Sequence, residues 1–506
     1  MGGNGMEKEV KQKVEEFKEY LKKLEYLNSA IGVLYWDMRV GIPKKAVPYR
    51  SEVVGYLSTE AYKLETSDKM KEYIDYLSNV DGLDKVTQSM VENVKKNYEK
   101  TKKIPEDRNK EYIILTSEAE SKWEEAKEKS DFAMFKPYLE KLVDFQKELI
   151  GYWGYEGNMY DTLLDFYEPG FTVEKIDSIF SELRDAIVNL LNRIKESGHT
   201  TNIECLKGSF PKENQERLGL KILNEMGYDF EAGRMDVSVH PFTIGFHNKD
   251  VRITTGYIEN DFTSSVFSCV HEGGHAIYEQ NIADELIGTT LATGVSSGIH
   301  ESQSRFYENI IGRSRAFWKH FYPDLIKEFP QFEKVDFEDF YGAINTVRPS
   351  LIRVDADELT YCLHIIIRYE IEKALINGKV KVEDLPEIWN QKYKEYLGVE
   401  PENDADGVLQ DVHWAGGSFG YFPSYALGNL YSAQFYAKML KDIPDVMERV
   451  EKGDLKVVKD WLNENIHKHG AVYKPSELIK MVTGEELSAK YFIDYLNRKY
   501  SEVYGL

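Results

Sequence analysis

His271-Glu272-Gly273-Gly274-His275 is the segment of this chain best suited to chemistry. On a helix, residues i and i+4 stand one above the other on one face. His271 and His275 can therefore aim two imidazole nitrogens at one ion. Glu272 leaves the same turn beside them, close enough to take a proton from a water held at that ion. The pattern is that of metal-assisted hydrolysis, with zinc as the expected ion and cobalt or manganese as substitutes that the same ligands accept. The two glycines cost a helix about 1 kcal/mol each against alanine. A purely structural helix would not favour them, whereas a helix that needs room beside its metal, or close approach of another backbone, would.

A hydrolytic zinc keeps three protein ligands and one open place. Glu301, in His300-Glu301-Ser302-Gln303-Ser304, follows His275 by 26 positions. Gly288, Gly294 and Gly298 lie between them, so the chain can turn and return as a second helix. Two histidines and a glutamate on a following helix is the gluzincin arrangement. Glu301 is thus the expected third ligand for one Zn2+ per chain. His300 is its competitor, since imidazole also binds zinc well. Cys269 falls on another face of the helix from His271 and is not expected to ligate.

The elements that must position these groups are mostly helices. In residues 7–38, Val10, Val14, Phe17, Leu21, Leu24, Ile31 and Leu34 recur at steps of three, four or seven, with Lys and Glu on the opposite face. Similar patterns run through 51–80, 85–103, 107–153, 173–197 and 213–227, then 300–328, 357–377, 428–450, 455–467 and 486–501. Before the metal helix, Asp261, Thr263 or Ser264 can cap, and Val266, Phe267, Val270, Ala276 and Ile277 follow at helical spacing. Residues 235–258 differ. Val237, Val239, Phe242, Ile244, Phe246, Val251 and Ile253 alternate as strands do, and Asn248-Lys249-Asp250 reads as a turn. A small antiparallel sheet beside the zinc helix is expected, with Pro241 marking an edge or a break. A free edge of such a sheet can pair with an extended peptide. With no repeat or evident linker, residues 1–506 read as a single mainly α unit whose two lobes flank a central groove.

The composition narrows the partners. Lys+Arg 64 against Asp+Glu 86 gives a net charge of −22, which argues against nucleic acid and anionic membranes. Cys205, Cys269 and Cys362 are odd in number and widely spaced, which suits a reducing, cytoplasmic setting. No apolar run is long enough to span a membrane, and the N-terminus lacks the apolar core of a signal peptide. Met6 is an alternative start, which would make residues 1–5 an added remnant.

Several ordered motifs, taken together, resemble the zinc metallocarboxypeptidases of the thermostable carboxypeptidase Taq family. They are Tyr35-Trp36-Asp37, His240-Pro241-Phe242, Asp250-Val251-Arg252-Ile253-Thr254, His271 to His275, His300 to Gln303, Ile352 to Glu358, Gly407 to Trp414 and Gly420 to Tyr425. The resemblance implies release of single residues from peptides with a free C-terminus, with broad side-chain preference. It also implies a nearly all-helical fold with a deep groove and a short sheet, and a homodimer. His413 and Tyr425 resemble the pair that serves the oxyanion in related helical gluzincins, with Tyr421 as the alternative. An exopeptidase must also grip the terminal carboxylate, and Arg offers a planar fork for it. Arg353 is favoured over Arg252, because Asp355, Asp357 and Glu358 beside it suggest an ordered ionic site. Arg252 can instead fix the substrate backbone, and His240 either borders the substrate or caps the hairpin. Two other readings compete: an endo- or dipeptidase on a similar frame, and a non-catalytic helical binding protein. The second has no use for Glu272.

Overall fold

The chain begins with a 38-residue helix, α1 (Gly3–Val40), whose buried stripe includes Val14, Phe17, Leu21 and Leu24. The structure, a computed structural model, describes residues 3–506. Among those residues it contains twenty α-helices and one three-stranded sheet. Four further helices hold many of the candidate site residues. They are α2 (Phe262–Gln280), α3 (Ser297–Arg305), α4 (Tyr361–Ile376) and α5 (Pro423–Asp442).

The apolar periodicity locates the helices better than their ends. The stretch 51–80 is two helices, because the Ser67 side chain accepts the Met70 N–H and starts a new one. The stretch 107–153 breaks at Ser130, the one non-glycine residue with positive φ (51°) among the described residues, where Asp131 caps the next helix. The stretch 300–328 breaks after Arg305 into a π-helical turn, Phe306–Ile311, with the Gly312 N–H bonded back to the Tyr307 carbonyl at 2.7 Å. Short helices such as Met159–Tyr167 and Leu385–Leu397 lie outside the predicted stretches.

The sheet is mixed rather than wholly antiparallel. Its strands are β1 (Met235–Val237), β2 (Thr243–His247) and β3 (Asp250–Thr255), in the order β1-β3-β2. β2 and β3 form the expected antiparallel hairpin, while β1 adds parallel to the other side of β3. Pro241 lies in the break between β1 and β2, where no ladder N–H is needed. Val251 and Ile253 of β3 are buried in the core. α1 presses on β2 so closely that a Cβ at Gly32 would sit 2.7 Å from the Phe246 ring.

Two apolar cores form. The larger takes in α2 to α5, and the smaller gathers Phe17, Met70, Ile74 and Met90 with Ile282 and Leu291. Within the larger core the backbones of three helices nearly touch. A Cβ at Gly274 of α2 would lie 2.5 Å from the Gln303 carbonyl oxygen of α3, and one at Gly428 of α5 would lie 2.7 Å from Glu301 Cγ. Of the two reasons the paired glycines suggest, room beside a metal or a close backbone, the second glycine of the His-Glu-Gly-Gly-His segment has the close backbone.

Candidate active site

α2 begins at Asp261, whose carboxylate accepts the Thr263 N–H at 3.0 Å. From that start His271, Glu272 and His275 fall on the side facing α3 and the sheet. One atom each from His271, His275 and Glu301 lie within 4.8 Å of one another. Glu301 Oε2 is 3.2 Å from His275 Nε2 and 3.7 Å from His271 Nε2. Two imidazoles and one carboxylate converging in this way fit a divalent ion and leave room for a fourth, exchangeable place. Glu272 is held beside them by β2, with Thr243 Oγ1 donating to its Oε2 at 2.5 Å. The hairpin therefore orients the acid–base candidate as well as lining the site.

The donors open into a cavity of about 920 Å³. β2 and α2 form one side, and Asn93, Lys96, Asn97 and Lys100 form part of another. Tyr421 and Tyr425 reach into the same cavity. A larger cavity of about 1130 Å³ adjoins it and shares Lys96, Lys100 and Phe166, but it holds none of the three donors.

Comparison with known proteins decides the class. The family model of carboxypeptidase Taq (M32) metallopeptidases matches residues 16–500. The chain belongs to the carboxypeptidase Taq family. Carboxypeptidase 1 of Bacillus subtilis is 52% identical over 493 residues, covering 97% of this chain and 98% of that relative. Thermostable carboxypeptidase 1 of Thermus thermophilus is 41% identical over 96% of this chain and 98% of its own length. The structure of the Pyrococcus furiosus carboxypeptidase superposes with a TM-score of 0.95 at 38% identity, covering 96% of this chain and 99% of that one. This chain is accordingly a metallocarboxypeptidase, a peptide hydrolase acting at C-termini with a metal ion.

Further side chains orient the three converging groups of this metallocarboxypeptidase. His300 does not join the donor set. Its Nδ1 lies 2.6 Å from His275 Nδ1, and its Nε2 lies 2.7 Å from Glu279 Oε1. Glu308, delivered by the π-helical turn, stands 3.6 Å from His271 Nδ1. Arg305 bridges the two acids, donating to Glu301 Oε1 at 2.9 Å and to Glu308 Oε2 at 3.0 Å. Burial alone would raise the Glu301 carboxyl, but His271, His275 and Arg305 hold it well below the usual range. Burial also works against charge on His271, yet Glu301 and Glu308 outweigh it and lift that group to about 9. His275 shifts the other way, because burial outweighs the pull of Glu301. Periodicity could not find Glu279, Arg305 and Glu308; the one available signal was a polar cluster on a buried helix.

Glu168 fastens the start of α3. It accepts from Ser296 Oγ at 2.9 Å, the Gly298 N–H at 2.8 Å and the Tyr431 hydroxyl at 2.8 Å. Burial pushes this carboxyl up to about 7.

The other predicted residues divide. His413 and Tyr425 meet, with Nε2 3.2 Å from the hydroxyl, and Tyr421 packs edge-on to Tyr425 at 5.1 Å. Arg353 is buried beside them, its guanidinium 4.9 Å from the Tyr425 ring. Its Nε and Nη2 bind Asp411 Oδ1 at 3.2 and 3.0 Å, and Nη1 donates to the Tyr361 hydroxyl at 3.2 Å. The ionic partner is thus Asp411, not the neighbouring Asp355, Asp357 or Glu358. Arg252 is bound by both oxygens of Asp250 and packs between Trp36 and Phe246. His240 is exposed, and its backbone carbonyl accepts from Ser238 Oγ, so it braces the β1–β2 connection.

Proposed function

We propose that this chain is a zinc-dependent carboxypeptidase that releases single amino acids from peptides with a free C-terminus, with broad side-chain preference. The observation that carries the reading is the convergence of His271, His275 and Glu301 beside Glu272 in a groove. Zinc suits two imidazoles and one carboxylate, with Co2+ or Mn2+ as substitutes. When bound, it supplies a Lewis acid that lowers the pKa of water and polarises the scissile carbonyl.

The protein supplies the rest. Glu272, aimed by Thr243, accepts the proton of the attacking water and returns it to the leaving amine. Burial holds the Tyr425 hydroxyl far above its ordinary pKa, so it stays protonated and able to donate to the developing oxyanion. His413 Nδ1 is buried without a partner, so the tautomer that strands no buried N–H carries its proton on Nε2. That N–H donates to the Tyr425 oxygen and leaves the hydroxyl hydrogen for substrate. Tyr421 flanks the pair. Arg353, beneath the Tyr425 ring, is the proposed anchor of the terminal carboxylate, and Arg252 and His240 are proposed to meet longer substrates, since neither lines the cavity itself.

Residues 1–506 act as one catalytic unit with the groove between its lobes. Homodimerisation is in keeping with the large exposed apolar residues Tyr26, Val33 and Tyr35 on α1 and Tyr49 and Tyr56 after it. A cytoplasmic setting suits the three free cysteines, and no helix among the described residues is long and apolar enough to cross a membrane.

The test is timed mass analysis of one peptide in free and amidated form, with and without chelator. Stepwise loss of single C-terminal residues from the free form alone is expected. Internal cleavage, or equal attack on the amide, would sink the proposal. Glu272→Gln should keep its zinc and lose kcat by about 10²–10⁴-fold.

A further inference from the structure

The loop that carries His413 and Tyr421 is tied at both ends to one buried side chain that none of the motifs includes. Glu372, on α4, is fully buried. Its Oε2 accepts the Trp414 indole N–H at 2.8 Å. Its Oε1 accepts the Gly420 N–H at 2.8 Å and the Tyr160 hydroxyl at 2.6 Å. Trp414 is the residue after His413, and Gly420 is the residue before Tyr421. Three elements distant in sequence therefore meet on one carboxylate. Among the described residues no cation lies within salt-bridge distance of it, since the nearby Arg368 is committed to Asp411 and Gln410.

A buried carboxyl without a cation is expensive to ionise, and burial pushes Glu372 up to about 7 against the hydrogen bonds from Tyr160, Gly420 and Trp414 that favour its charged form. An apolar side chain would fill the same space at lower cost. What the carboxylate provides is the spacing between Trp414 and Gly420. Gly420 has φ +90°, and a Cβ there would lie 2.8 Å from the Leu163 backbone, so the loop end is also wedged against helix Met159–Tyr167. Tyr167 of that helix then packs against Tyr421 at 5.2 Å. From this geometry we propose that Glu372 is a positioning residue for catalysis: it sets where His413, Tyr421 and Tyr425 stand relative to the metal ligands, while touching neither substrate nor metal. The proposal rests on the reading of His413 and Tyr425 as the oxyanion pair.

Glu372→Gln keeps the shape but offers one oxygen where three donors need two, so at least one N–H or O–H faces an amide NH2. With zinc as the probe, this variant should bind one ion per chain as tightly as wild type in chelator competition. KM for a free-ended peptide should stay within about twofold, and kcat should fall by about 10–100-fold, less than loss of a whole oxyanion donor. In a Tyr425→Phe background the same substitution should cost under about threefold, because the hydroxyl being positioned is gone and residues that act as one unit are not additive. A full extra loss there overturns the positioning role. So does unchanged kcat in folded Glu372→Gln, or zinc affinity that falls in step with activity. If Glu372→Gln folds poorly, Tyr160→Phe removes one donor and keeps the carboxylate; kcat should drop a few-fold at constant KM and zinc affinity, and no change overturns the proposal. Tyr425→Phe separates the two readings. Full activity in that variant defeats the oxyanion assignment and the proposal with it. A large loss there, beside normal kcat in Glu372→Gln, defeats only the positioning role.

Discussion

The Nδ1 atoms of His300 and His275 lie 2.6 Å apart, so the histidine that competes in sequence for the metal instead orients one of the three converging side chains. Glu279 holds the far side of the His300 ring at 2.7 Å. A carboxylate, a bridging imidazole and a ligand imidazole in series fix the tautomer and ring angle of His275. His300→Ala should therefore keep a stoichiometry of one ion per chain but weaken zinc binding by about 10–100-fold. Chelator competition measures this. Unchanged affinity would leave His300 with only a packing role.

The anchor can be tested without stranding a charge. Arg353→Ala would leave Asp411 with Arg368 alone in a buried site, and breaking buried pairs costs about 3–5 kcal/mol. Arg353→Lys keeps the charge but loses the planar fork. It should raise KM for free-ended peptides by about tenfold or more, taking a lost charge-assisted hydrogen bond as about 1.5–3 kcal/mol. Steady-state kinetics on a short peptide gives the answer, and an unaltered KM removes Arg353 from this task.

The paired glycines should not respond alike. Alanine gains about 1 kcal/mol of helix propensity over glycine. At Gly274 the added Cβ meets backbone, Gln303 O at 2.5 Å and Ser304 Cα at 2.8 Å. Neither can move without shifting α3, and overpacking costs about 1–3 kcal/mol. At Gly273 the obstacle is the tip of Leu223 at 2.6 Å, with Met226 Cε at 3.2 Å, and both can rotate away. Gly274→Ala is expected to lower the melting temperature and zinc affinity together, with Gly273→Ala close to neutral. The reverse order, read by thermal melts, would contradict the close crossing of α2 and α3.

His413 supplies a pH test. Burial, reinforced by Arg353 and Arg368 against the opposing pull of Asp411, brings it down to about 4. An unfolded histidine titrates near 6.5. The fold thus favours the neutral ring, and its contribution to stability is complete above about 6.5 and lost as pH falls towards about 4. The melting temperature of His413→Ala should accordingly fall less between pH 7 and pH 4.5 than that of wild type. Between about pH 5 and pH 7 the kcat profiles of the two should run parallel, since His413 does not titrate there in the fold. An acid limb that vanishes with His413 would count against the neutral ring.

What the sequence determined by itself is local. His271, Glu272 and His275 share a helix face because 3.6 residues make a turn, and the alternation in 243–255 makes a hairpin because side chains in a strand change sides at each step. Glycine at position 274 signalled a close neighbour, though not which one. The choice between His300 and Glu301 is of another kind. Adjacent helix residues differ by about 100° in direction, so the rotation of α3 about its own axis decides which one meets the histidines. That rotation is set by Gly274, Gly428 and the Glu168 clasp, not by anything within the helix. The same holds for Thr243 on Glu272, Asp411 on Arg353 and Glu372 on Trp414, pairs 29, 58 and 42 residues apart. Periodicity reaches one turn along a helix or two residues along a strand. Partners brought together from distant segments are chosen by how the helices pack, and only the tertiary structure records that choice.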